Sequence, residues 1–295
     1  MRATRGRWRS SLKLKAGLPG TPQVDRLGWA AGVAIESFGV RIGLRTSTRR
    51  ALVSAAARLP PGRPLPTGRV DVLYSLLLGG PGSRPGMRRS HRLYCGDLPV
   101  AYSLDRQAVL DSLESHSRLV AAAHSRRGVF LHAGAVAWHG RALVLPGASR
   151  SGKTTLVAEL VKAGAAYLSD EFAVIRGDRV VPYPKPLSVR DPNLADRQAP
   201  VGVVSLGGSQ QSRPVPVGLV VLTRFEEDAG GRARRLPPGR ALLSLLSHAP
   251  AARIAPKSVL SALEGLVRAA PVVRVKRGDA RAAARRILGW MERPA

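Results

Sequence analysis

Residues 147–154 read GASRSGKT, a match to G-x-x-x-x-G-K-[ST] at every fixed position. That spacing is suited to an anion. Gly147 and Gly152 let the backbone close around a phosphate without Cβ clashes. The N–H groups of Ala148, Ser149, Arg150 and Ser151 can then point inward and lead into a helix N-terminus. Lys153 adds a mobile cation for the β and γ phosphates and Thr154 offers a hydroxyl to Mg²⁺. Thr155 ends the stretch on which a nucleoside triphosphate, ATP, is expected to lie. Such loops serve switches, motors and kinases alike, so the surroundings must decide what happens to the phosphate.

One helix downstream, YLSDEFAVI (167–175) carries Asp170 and Glu171 side by side, where a strand should end near the loop. Adjacent carboxylates repel each other unless a cation intervenes, and Mg²⁺ is the obvious one. One acid then serves the metal while its neighbour accepts a proton from an attacking hydroxyl or water. Asp170 is the expected base and Glu171 the expected metal ligand beside Thr154. The two roles can be exchanged, which makes Asp170 a candidate ligand too.

These residues need elements to hold them. RALVLPG is an apolar strand entering the loop, and TTLVAELVKAG is a helix whose Leu156, Val157, Leu160 and Val161 share one face. Upstream, GVFLHAGAVAWHGRALVLPG predicts a hairpin turning at His139-Gly140. AAYLSDEFAVI predicts one strand running through the acids, followed by the turn RGD. VPVGLVVLTRF (215–225) predicts a buried strand, and SVLSALEGLVRAA and DARAAARRILGWM predict helices. This alternation implies an α/β domain over 128–295.

Residues 29–127 predict a smaller α+β unit. SFGVRIGLRT (37–46) and VDVLYSLLL (70–78) have strand character, RRALVSAAARL (49–59) has helical composition, and 79–90 is loop by composition. HRLYCGDLPVAYSL (91–104) predicts a hairpin turning near Gly96-Asp97. Residues 105–128 predict a long helix capped by Asp105 and ended by Gly128. Residues 1–28 are expected to be a disordered basic tail.

Lysine and arginine outnumber aspartate and glutamate 47 to 19 in the 295 residues, for a formal net charge of +28. Such a field favours polyanionic partners. The arginines are scattered along the chain without zinc spacing, a recognisable helix-turn-helix or stacking aromatics, which argues against specific nucleic-acid recognition. Cys95 is the single cysteine, so no internal disulfide can form and a reducing, cytoplasmic setting is expected. The thiol reads as a small packed side chain rather than a nucleophile. No apolar run approaches the roughly 18 to 20 residues a membrane span needs. The N-terminus lacks the hydrophobic core of a secretory signal.

The run LHAGAVAWHGRALVLPGASRSGKTTLVAELVKAGAAYLSDEFAVI resembles the catalytic core of HPr kinase/phosphorylase and its kinase-like relatives, which share a core with phosphoenolpyruvate carboxykinase. Those proteins present a Leu-His-Gly-like segment, a hairpin, a phosphate loop, one helix and an acidic pair in this order. The resemblance implies a P-loop kinase core of that type. It places His132 near the phosphates as a third catalytic candidate beside Lys153 and Asp170, and matches Asp170 to the family's proton-accepting acid. Glu171 stands where a second Asp is usual. Read without the family, His132 is a half-buried strand histidine bonded to backbone.

The family's Glu-x-Arg-Gly-x-Gly pattern is missing. In its place VVPYPKPLSVRDPN (180–193) resembles the segment of divergent members found with peptide-modification systems. HPr as substrate and phosphorolysis are therefore not implied. Lys185 and Arg190 either stabilise transferring phosphate or are solvated loop charges, the latter being the plainer reading. VSLGGSQQSRP (204–214) resembles the signature of ABC transporter ATPases, but Pro214 and Pro216 forbid the helix that should follow, so a flexible loop is expected.

The expectation is an ATP-dependent kinase acting on a hydroxyl, serine of a protein or peptide acceptor, with self-assembly into a homo-oligomer left open. A nucleotide-binding regulatory or scaffold protein is the rival, and a small-molecule kinase a third reading.

Overall fold

A computed structural model describes residues 24–66, 68–79, 90–148, 151–190, 198–227 and 229–292. The expected tail up to residue 23, most of the 79–90 loop, Ser149 and Arg150, and residues 191–197 lie outside the described residues. The chain divides into two compact units at Arg126/Arg127.

The first unit contains β1 (Ala31–Ser37), β2 (Val40–Thr46), α1 (Arg49–Ala56), β3 (Arg63–Leu65), β4 (Val72–Leu77), β5 (His91–Cys95), β6 (Leu98–Ser103) and α2 (Arg106–Ala123). Its sheet runs β3-β1-β2-β4-β5-β6. The strand expected from residue 37 begins at Val40, because Phe38 and Gly39 take positive φ and turn the chain back into β1. The Gly96 turn and the Asp105 cap stand as expected, the Asp105 carboxylate accepting from Gln107 N–H at 2.8 Å. Gly128 does not end α2. The helix stops at Ala123, and Gly128, at φ +128°, leads into the next strand, where a Cβ would lie 2.9 Å from the Ile175 carbonyl oxygen. Cys95 is buried against Tyr74, and burial pushes its thiol up to about 11, which fits a packed side chain.

The second unit is mixed α/β. In chain order it contains β7 (Val129–Trp138), β8 (Arg141–Pro146), α3 (Lys153–Lys162), β9 (Ala166–Ser169), β10 (Phe172–Arg176), β11 (Arg179–Val181), β12 (Leu187–Arg190) and β13 (Gln198–Val201). Then follow β14 (Val215–Phe225), β15 (Ala233–Arg235), α4 (Pro238–Leu246), α5 (Pro256–Ala269), β16 (Val272–Arg277) and α6 (Ala280–Glu292). The main sheet runs β11-β10-β7-β8-β14-β16-β15, with β8, β14 and β16 mutually parallel.

Strand alternation divides the core between two faces. Val136, Leu143 and Leu145 pack under α3 and α6 with Leu156, Val157, Leu160, Val161, Ile287 and Leu288. Leu131, Ala133 and Val144 face the other way, against Leu245, Val259 and Leu263 of α4 and α5. The β7–β8 turn has positive φ at both His139 and Gly140, the backbone a two-residue hairpin of matching twist requires.

Two expectations are corrected here, and one element is added. The strand expected through the acids is two strands: β9 and β10 both pair antiparallel with β7, and Asp170-Glu171 is the break between them. The 204–214 segment is fastened rather than flexible, since Tyr167 N–H donates to Ser209 O at 2.8 Å and Gln211 N–H to Tyr167 O at 2.9 Å. Between the two expected C-terminal helices, where no element was expected, β16 extends the parallel set beyond β14.

Candidate functional site

The described residues of the loop between β8 and α3 place both of its glycines at close approaches or turns of the backbone. Gly152 caps α3 at φ +78°, a left-handed conformation that favours glycine. A Cβ on Gly147 would stand 2.7 Å from Ser151 Oγ, so the loop's two ends approach closely. Ser151 N–H donates to Ala148 O at 3.3 Å, and Ser151 Oγ is buried without a hydrogen-bond partner among the described residues. Ser149 and Arg150, between them, lie outside the described residues. Thr154 is half-buried and Thr155 exposed in the first turn of α3.

Lys153, 7% exposed, folds back over the loop, its Nζ donating to Gly147 O at 2.7 Å and Ala148 O at 2.6 Å. Burial lowers its pKa to about 8, against the opposing pull of the Asp170 charge. The loop lysine and the first of the two acids thus lie close enough to feel each other's charge.

The break in the β9–β10 edge explains where the acids go. Ser169 Oγ accepts from the N–H groups of Glu171 and Phe172, at 3.2 and 3.1 Å, and turns the chain at this point. Asp170 is 5% exposed, and its Oδ1 accepts from the Tyr167 hydroxyl at 3.0 Å. The same hydroxyl lies 2.9 Å from the Lys185 carbonyl oxygen, so one phenol ties β9 to the segment before β12. Burial and the adjoining carboxylate raise the Tyr167 pKa, which keeps the hydroxyl a donor.

Lys185 was expected in solution and is not. It sits between Pro184 and Pro186 with its side chain 12% exposed, Nζ 3.2 Å from Glu171 Oε2 and 3.9 Å from Asp170 Oδ1. The mutual repulsion of two carboxylates is thus met by an ammonium. Arg190 closes β12, and its side chain lies outside what is described.

His132 is the main-chain junction of the site. Its N–H donates to His248 O at 2.7 Å, and its carbonyl accepts from Gly147 N–H at 3.3 Å. The neighbouring Ala133 N–H reaches Glu171 O at 3.1 Å. β7 therefore joins the loop, the acids and the turn after α4. The imidazole, half-buried and edge-on to Phe172, has its pKa lowered to about 4, by burial first and then by the cations Lys153 and Lys185 and by His248. It is neutral at neutral pH.

Sequence reasoning missed three residues. Tyr167 opens the strand sequence that carries the acids and was given no role of its own. The pKa of His248 is lowered by burial and by Lys153, and only the fold brings it to β7. Arg277, the last residue of β16, is 4% exposed and donates to Gly152 O at 3.0 Å and Ser151 O at 3.4 Å. Its Nε is buried without a partner among the described residues. In the sequence it is one basic residue among many, and no local signal marks it.

No protein-family model matches the chain. No curated protein matches it either. Among solved structures, the Hpr(Ser) kinase/phosphatase from Coxiella burnetii is similar over 56% of this chain and 99% of that one, at 10% identity and a TM-score of 0.31. At that distance no residue is assigned by correspondence. Among the described residues, no helix is long and apolar enough to cross a membrane.

Proposed function

We propose that the second unit is an ATP-dependent phosphotransferase core of the HPr kinase/phosphoenolpyruvate carboxykinase type, moving the γ-phosphoryl group to a hydroxyl, serine of a protein or ribosomal peptide precursor. The observation that carries this reading is the buried carboxylate of Asp170 within the field of the loop's Lys153. A carboxylate is buried only where it is paired and hydrogen-bonded, and the groups that hold Asp170, Tyr167 and Lys185, keep it beside the loop.

The donor set suits Mg²⁺. Among the described residues no cluster of three or more His, Cys, Asp or Glu side chains forms a cage, but Mg²⁺ in phosphate sites takes one or two carboxylates and completes its octahedron with water and phosphate oxygens. The cation already lodged against the two acids, Lys185, marks this as a place that demands positive charge. Thr154 and Glu171 would hold the ion, with Asp170 as the exchangeable ligand. A bound divalent ion supplies neutralisation of the phosphate charge there.

The chain's own residues supply the rest. Backbone N–H groups of residues 147–155 hold the triphosphate, and Lys153 leaves its loop carbonyls to neutralise charge on the transferring group. Asp170 takes the proton of the acceptor hydroxyl as its oxygen bonds to the γ-phosphorus and the bond to the bridging oxygen breaks, releasing ADP. Tyr167 holds Asp170 in place. His132, being neutral, contributes a hydrogen bond rather than charge.

The test is incubation of the purified chain with γ-labelled ATP, Mg²⁺ and a cell lysate. Label is expected on a protein or peptide at serine. Asp170→Asn is expected to abolish labelling while nucleotide affinity persists. Label in free phosphate alone would favour a nucleotide-binding regulator, and unchanged transfer by Asp170→Asn would remove Asp170 as the base.

A further inference from the structure

We infer that the cleft between α3 and α6 is the nucleoside subsite, holding the ribose and base of the triphosphate; the inference rests on the phosphate-loop reading above. The sheet order sets the direction of the bound chain. From β8, which feeds the loop, the acids lie toward β7, β9 and β10, whereas β14 and β16 lie on the other side. A triphosphate whose γ end meets Lys153 and Asp170 therefore points its α end toward β16.

At that side a site is ready. β8, β14 and β16 are parallel, so their carboxyl ends open on one edge, and crevices beyond such ends are where open α/β sheets take ligands. Arg277 fastens the end of β16 to the loop through the carbonyls of Ser151 and Gly152. Arg277 is 4% exposed and its Nε has no partner among the described residues, so a guanidinium is buried at the loop's β16 side.

Past this contact a cleft of about 560 Å³ begins at Thr155, one residue beyond the loop motif, and continues between α3 and α6. That volume lies inside the roughly 300–1,000 Å³ of small-molecule sites.

The lining has nucleoside chemistry. Asp279 caps α6 with Oδ1, accepting from Ala282 N–H at 2.8 Å, which leaves its second oxygen for ribose hydroxyls. Arg281 and Arg285 line the wall and offer planar guanidinium faces on which a base can stack. Glu159, paired with Lys162 at 2.7 Å, gives the floor a further acceptor for an exocyclic amine.

The experiment compares binding of ATP and of inorganic tripolyphosphate, each with Mg²⁺, by calorimetry on the full chain. The variants are Arg281→Ala, an exposed change, and Asp279→Asn, which keeps a capping side chain. Each variant is expected to lose about tenfold in ATP affinity and nothing in tripolyphosphate affinity. Wild type that binds ATP no better than tripolyphosphate, or variants with unchanged ATP affinity, would overturn the cleft and leave the phosphate loop standing. Wild type that binds neither compound would overturn both.

Discussion

Lys185→Met tests whether the two acids require a cation. The ammonium lies 3.2 Å from Glu171 and 3.9 Å from Asp170. With an effective dielectric of about 20 these contacts amount to about 5 and about 4 kcal/mol of attraction. Desolvation of three charges takes back most of that sum, and Glu171, 19% exposed, keeps part of its hydration. We therefore expect a net loss of about 2 kcal/mol, since the substitution leaves two carboxylates facing each other without a counter-charge. For a unit of this size that lowers Tm by about 4–8 °C. Calorimetric melting without metal reads the loss directly. Mg²⁺, free to enter the position the ammonium leaves, is expected to raise the variant's Tm by several degrees and the parent's by much less, and Mn²⁺ binding followed by paramagnetic resonance is expected to tighten in the variant. A variant as stable as the parent in metal-free buffer, with the same response to Mg²⁺, would refute the idea that Lys185 stands where a divalent cation belongs.

Tyr167→Phe removes the hydroxyl shared by Asp170 and the Lys185 carbonyl and is expected to cost about 1–3 kcal/mol in denaturant unfolding, with a parallel fall in transfer rate. Lys153 titrates near 8 rather than at its ordinary 10.5. The folded ligand-free chain thus holds fewer protons than the unfolded one between those values, so this residue's contribution to stability rises with pH across that window. Nucleotide affinity, which needs the charged amine, should fall by about tenfold per pH unit above 8; fluorescent-nucleotide titrations from pH 6.5 to 9.5 check it, and Lys153→Ala should flatten the profile. Gly134→Ala places a Cβ 2.6 Å from Val157 Cγ2 beneath α3 and should cost about 1–3 kcal/mol, part of which Val157→Ala in the same chain restores when both are melted.

What was legible in the residues is what depends on neighbours along the chain. The loop 147–154, the apolar face of α3, the His139-Gly140 turn and the Asp105 cap are short-range patterns, each set by a glycine's φ, a side-chain cap or a repeat matched to one element. They declare themselves wherever the chain folds. The adjacency of Asp170 and Glu171 was equally plain, and their need for a counter-charge followed from Coulomb repulsion alone.

Tertiary structure decided which groups meet that need. Lys185 reads as a solvated loop charge until β9 and Tyr167 draw its segment inward, because burial is a property of packing rather than of residue type. Arg277 and His248 reach the loop and β7 only through strand pairing and the layer of α4. Such contacts span more than a hundred residues and leave no local trace. The same pairing broke the expected single strand at the acids, since β7 accepts β9 and β10 along one edge only if the chain turns out at Asp170. The sequence alone carries the glycine and lysine spacing of the loop; only the sheet order decided that the acids lie on the β7 side of β8 and that β14, β16 and the α3–α6 cleft lie on the other.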